Sequence, residues 1–117
     1  MAPRSQLEIQ TSSVTRLVKE EASYHRELEQ QTQRIKKLEA GGGDDENREY
    51  IIKQEHLALE ETKKVLPNLK QKIIEAVKKL EALIAEEGQK GAESNVQHIT
   101  AAKEAIAQAK TAEREIS

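Results

Sequence analysis

The chain has 117 residues, 19 Lys+Arg against 21 Asp+Glu for a net charge of −2, and no Cys, Trp or Phe. That is the length of one domain, and it excludes disulfides, thiol nucleophiles and Cys-ligated zinc. It also lacks the basic excess of a general nucleic-acid binder, and only Tyr24 and Tyr50 could stack on bases.

No apolar run approaches the roughly 18 residues of a membrane span. Met1 to Gln10 lacks the apolar stretch of a signal peptide, so a cytoplasmic chain in a reducing compartment is expected. Leu, Ile and Val make up 25 of the 117 residues, which leaves a thin core. Ala, Glu, Lys, Leu and Gln dominate, and all favour helix. A thin core with alternating charges suits helices that each bury a narrow stripe.

Leu7, Val14, Leu17, Glu21, Tyr24, Leu28, Gln31, Ile35 and Leu38 recur at three-to-four-residue spacing and form a heptad seam with two polar intrusions. Ser5 with Glu8 makes a capping-box pattern just after Pro3. A later start at Thr11 or Ser12 competes, because Thr11-Ser12-Ser13 is a weak helical run. Leu7 is in phase with the seam and favours the early start. The first helix is expected over about 5–40, stopped by Gly41 of the Gly41-Gly42-Gly43-Asp44-Asp45 break.

The second helix is expected over about 46–87. Its seam is Ile52, Leu59, Thr62, Leu66, Leu69, Ile73, Ala76, Leu80 and Leu83, widened by Ile51, Ala58, Val65, Val77 and Ile84. Glu49–Lys53, Glu60–Lys64 and Glu75–Lys79 have the favourable order for ion pairs. Pro67 removes a donor and clashes with the Lys63 carbonyl, so a kink is predicted there; the periodicity continues in phase, which argues against a stop.

Gly88 and Gly91 end that helix. Ser94 with Gln97 suggests a cap, and Val96, Ile99, Ala102, Ile106, Ala109 and Ile116 form the stripe of a shorter, Ala-rich third helix over about 94–115. Short connections force antiparallel neighbours. The predicted fold is an all-α, elongated, antiparallel three-helix bundle with spectrin-like coiled-coil packing, a single domain over 1–117 with a long middle helix kinked at Pro67.

Little points to catalysis. His25, His56 and His98 fall one per helix. His56 and Glu60 are four residues apart, but two ligands do not make a metal site. The pairs Glu20-Glu21, Glu60-Glu61 and Glu86-Glu87 are expected on solvated faces. The Gly run is followed by acids, not by Lys and Ser/Thr, so it is no phosphate loop. Neither an active site, a metal nor a cofactor is expected.

Two surfaces suit a partner. Measured from Leu59, Tyr50 and Leu57 fall about 180° and 160° away at 100° per residue, and so face outward. One heptad apart, the two could anchor a partner, although lone exposed apolar residues are also common. On the first helix Arg16, Lys19, Glu20 and Glu27 should face away from the seam, where they could equally serve solubility alone.

These residues resemble the tubulin-binding cofactor A family. The likeness begins at Leu7-Glu8-Ile9, strengthens over Arg16-Leu17-Val18-Lys19-Glu20, and continues through Tyr24, Glu27 and Gln30-Gln31 to Leu38. Glu46-Asn47, Tyr50, Ile52-Lys53, Glu61-Thr62 and Val65-Leu66-Pro67 follow, and Leu69 to Leu83 keeps the apolar pattern. The Met-Ala-Pro start and Glu20-Glu21 look most like fungal members. Ile51 stands where the family usually has an acidic residue, and the first loop is longer and richer in Gly. The resemblance implies a helical chaperone that binds β-tubulin after chaperonin release, holds it near-native and passes it on for pairing with α-tubulin. It would work alongside other tubulin-folding cofactors, as a monomer or homodimer, with no nucleotide or metal. Arg16, Lys19 and Glu20 on the first helix and Tyr50, Lys53 and Leu57 on the second are the nominated contacts. The rival reading is a helical coiled-coil adaptor or spacer without chaperone activity.

Overall fold

The computed structural model describes residues 4–41 and 46–116, except the side chains of Glu46 and Ile116. Gly42, Gly43, Asp44 and Asp45 of the expected first loop, together with Pro3, lie outside the described residues. Three α-helices follow in order: α1, Gln6–Ala40; α2, Glu46–Gly88; and α3, Val96–Ile116. A 3-10 turn at Gly91–Glu93 stands between α2 and α3, and no strand occurs among the described residues.

α1 takes the earlier of the two starts. The Glu8 N–H donates to Ser5 Oγ at 3.1 Å, and the Ser5 N–H donates to Glu8 Oε1 at 3.1 Å, closing a reciprocal capping box. The weak Thr11-Ser12-Ser13 run is helical throughout, and the first two of its hydroxyls have partners. Thr11 Oγ1 donates to the Leu7 carbonyl at 2.7 Å, and Ser12 Oγ accepts from the Arg4 guanidinium. At the other end Gly41 N–H donates to the Lys37 carbonyl at 3.0 Å. Arg48 then reaches back from α2, its Nε donating to Leu38 O at 2.5 Å and its Nη2 to Glu39 O at 2.6 Å. A cation on the last carbonyls satisfies both their lone pairs and the negative end of the helix dipole.

α2 runs through Pro67 without ending. The three expected i,i+4 ion pairs do not form. Glu60 Oε1 takes Lys63 at 3.5 Å, and Glu75 Oε1 accepts from Gln71 at 3.3 Å. Exposed pairs of this kind differ by only tenths of a kcal/mol, so such exchanges are cheap.

The α3 cap lies one residue later than expected. Ser94 Oγ donates to the Gly91 carbonyl at 2.7 Å, and Asn95 Oδ1 accepts the His98 N–H at 3.1 Å. Asn95 is therefore the cap, and the Ser94–Gln97 pattern is not used. Glu87 was expected on a solvated face. Instead its side chain is largely covered and organises the turn: Oε1 accepts the Asn95 N–H at 2.8 Å, and Oε2 meets Lys90 Nζ at 2.9 Å. Gly91 has φ +63°, where an L side chain would be strained.

The chain divides into two compact units, Met1–Glu20 with Lys70–Ser117, and Glu21–Leu69. In the first, Leu7 and Val14 of α1 meet Ile73, Ala76, Val77 and Leu80 of α2 and Ala102, Ala105, Ile106 and Ala109 of α3 in one apolar core. Val14 and Leu80 are fully buried. The Ala face of α3 removes bulk and lets its backbone approach closely. Ala105 was not expected in that stripe. Val96, which was, is 69% exposed, although Ile99 in the same turn packs against the core.

In the second unit α1 and α2 pack antiparallel, with Arg34 Nε 3.5 Å from Glu55 Oε2 and Arg48 at Leu38. Its buried residues are Ile35, Leu59 and Leu69 together with the polar Glu21, Gln31 and Thr62. Thr62 Oγ1 donates to the Ala58 carbonyl at 3.1 Å, whereas Gln31 Oε1 is buried with no hydrogen-bond partner among the described residues. Two expectations fail here. Tyr24 was placed in the seam and Ile51 beside it, yet both are exposed. With only two helices in this unit, the flanks of the seam open to solvent. Both tyrosines of the chain lie in this unit.

Candidate partner-binding surface

The first nominated patch belongs to the first unit. Arg16, Lys19 and Glu20 are all exposed, and Arg16 Nε lies 3.9 Å from Glu20 Oε1 across one turn of α1. Arg16 and Glu20 also border a shallow groove of about 510 Å³ whose other wall is α2, with Lys72, Glu75 and Lys79. Gln10 Nε2 donates to the Ala76 carbonyl at 3.4 Å and ties the two helices at its base. Both signs of charge are present, which suits recognition of a polar surface more than capture of a small apolar ligand.

The second nominated patch belongs to the second unit. Tyr50 is 64% and Leu57 53% exposed, with Lys53 exposed between them. The spacing i, i+3, i+7 puts the three on one face of α2. The outward reading from helical geometry is what the structure shows for these side chains. A large aromatic and a Leu left in water at heptad spacing form the kind of anchor a protein interface buries.

The histidines do not gather. His56 Nε2 lies 3.5 Å from Glu39 Oε1 of α1, not against Glu60, and His98 Nε2 is 3.6 Å from Glu8 Oε2. Among the described residues no three His, Cys, Asp or Glu are grouped as metal ligands. None of the described helices is long and apolar enough to cross a membrane. Three ionisable groups at helix ends, Glu8, Glu87 and Lys90, are shifted from their ordinary values. The Glu8 carboxyl is held below its ordinary value of 4.5, first by the Ser5 N–H. Glu87 is held low by Lys90 and then by the Asn95 N–H, and Lys90 is raised by Glu87. These shifts belong to caps and a turn, not to acid–base chemistry.

Sequence reasoning missed Arg34, which bridges Glu27 at 3.5 Å and Glu55 at 3.5 Å. The Glu27–Arg34 spacing of seven was a readable signal; the Glu55 contact needs the antiparallel register.

The tubulin binding cofactor A family model matches residues 2–106. The chain belongs to this family. Tubulin-specific chaperone A of Saccharomyces cerevisiae is 37% identical over 84 residues, 72% of this chain and 76% of that one. The Mus musculus protein of the same name is 32% identical over 82 residues, 70% of this chain and 72% of its own length. The crystal structure of tubulin folding cofactor A from Arabidopsis thaliana superposes with a TM-score of 0.75 at 28% identity, covering 90% of this chain and 92% of that one. The all-α architecture is therefore that of a solved cofactor A.

Proposed function

We propose that this chain is a tubulin-folding cofactor that binds β-tubulin after its release from the chaperonin and holds it near-native until it pairs with α-tubulin. The observation that carries this reading is the family match over residues 2–106, supported by relatives named as tubulin-specific chaperones. A chaperone of this type works by surface, and the two patches offer it: Arg16, Lys19 and Glu20 on α1, and Tyr50, Lys53 and Leu57 on α2. Both stand free of their units' cores, so binding costs no unfolding. Pro67 is the position at which α2 would bend to follow a curved partner. No catalytic step, metal or cofactor is part of the role, and it places the chain in the cytoplasm.

The test is to mix the chain with β-tubulin freshly released from chaperonin and to run size exclusion with light scattering. A co-eluting complex that excludes α-tubulin is expected. Aggregated β-tubulin with the chain eluting alone would overturn the reading and leave the adaptor role in front.

A further inference from the structure

Within the first unit, α2 carries a run of positive charge in a chain whose net charge is −2. Residues 70–79 hold four lysines, Lys70, Lys72, Lys78 and Lys79, against one acid, Glu75. All four lysines are exposed, and none has an ion pair or hydrogen bond among the described residues. Ile73, Ala76, Val77 and Leu80 of the same stretch are buried in the core, which leaves the lysines on the solvent side.

Two of these lysines line the shallow groove of about 510 Å³ between α1 and α2. Lys72 and Lys79 are one heptad apart, about 10 Å along the helix, with the small, buried Ala76 between them on the same face. Arg16 and Glu20 of α1 form the opposite wall. The two acids of the lining do not serve the lysines. Glu20 Oε1 lies 3.9 Å from Arg16 Nε, and Glu75 Oε1 turns to Gln71 at 3.3 Å, not to Lys72 or Lys79. The groove therefore has three cations to two acids, with the two lysines left open to a carboxylate from outside. Single surface ion pairs are weak, so recognition here comes from two cations held at a fixed spacing.

We propose that the α1–α2 groove of the first unit docks an acidic segment of the client, one whose carboxylates lie about 10 Å apart and reach Lys72 and Lys79 together. The proposal rests on the chaperone reading. It adds two lysines of α2 to the α1 patch and names the chemistry of what that patch takes.

The probe is a set of synthetic Ala-rich helical peptides with Glu, Gln or Lys at two positions one heptad apart. A fourth carries its two Glu on opposite faces. Wild type should bind the heptad Glu peptide about fivefold more tightly than the Gln peptide or the opposite-face peptide, and should reject the Lys peptide. That preference should fade as salt rises past about 0.15 M, where charges are screened beyond about 8 Å. Lys72→Glu with Lys79→Glu should turn the preference to the Lys peptide. Lys103→Glu with Lys110→Glu removes the same charge from exposed, unpaired positions of α3 and should leave the preference as in wild type. Equal binding of the peptides by wild type, no binding, or a reversal in the α3 variant overturns the groove. Tighter binding of single-stranded RNA than of the Glu peptide, lost in the Lys72 and Lys79 variant, would make the partner a nucleic acid and overturn the acidic segment.

In parallel, capture of chaperonin-released β-tubulin is measured for wild type and the two double variants. Loss in the Lys72 and Lys79 variant alone is expected. If wild type and that variant capture equally, the chaperone reading stands and the groove is overturned. If wild type captures nothing, the chaperone reading fails, and the peptides decide the groove by themselves: charge-dependent binding upholds it and its absence overturns it.

Discussion

Glu87 Oε1 accepts the Asn95 backbone N–H at 2.8 Å, so the last full turn of α2 closes the first turn of α3. This contact fixes a pH response. Glu87 is held below 4.5 by Lys90 and Asn95, and Glu8 by Ser5, so each favours the folded state fully above that value and progressively less as pH falls through its lowered pKa. Lys90, raised above 10.5, acts in the opposite sense at alkaline pH: its contribution is complete below 10.5 and lost as pH rises through its raised pKa. Thermal melts between about pH 7 and 3 should show Tm falling in wild type, with a shallower fall in Glu87→Gln and in Glu8→Gln. Parallel curves for all three would refute the assignment.

Gly91 makes the turn between α2 and α3 at φ +63° with open space around its Cα, so a methyl group would meet strain without a clash. Gly91→Ala should cost about 1 kcal/mol in urea denaturation. An unchanged midpoint would mean that the turn relaxes to another conformation.

Arg48 gives two charged hydrogen bonds to the end of α1. Arg48→Ala should destabilise the second unit by about 1–2 kcal/mol and speed amide exchange over the last turn of α1. Protection lost equally across both units would count against a local cap.

Gln31 points the other way. An unpaired buried acceptor is a cost to folding, so Gln31→Leu should stabilise the chain by about 1 kcal/mol in urea.

What could be read from the residues follows a physical line. Ser5 and Glu8 were legible because both partners lie within one turn. Leu7, Val14, Ile35, Leu69 and Leu80 were legible because a 3.5-residue repeat survives folding unchanged. The outward aim of Tyr50 and Leu57 follows from the same arithmetic. Asn95 was missed by one residue because the turn at Gly91 claims the Ser94 hydroxyl first. Arg48, and the contact of Arg34 with Glu55, were not legible, since each depends on the register between two helices. Ile51 and Val96 misled because an apolar residue in phase is buried only where a neighbour arrives to cover it.

The placement of both tyrosines in Glu21–Leu69 gives the two units separate optical signatures. With no Trp in the chain, intrinsic fluorescence reports on that unit alone, whereas the far-ultraviolet dichroism of the helices reports on both. A fluorescence transition that precedes the dichroism transition would show the half with the polar seam opening first. It would also yield its local stability from the unmodified protein, without any label.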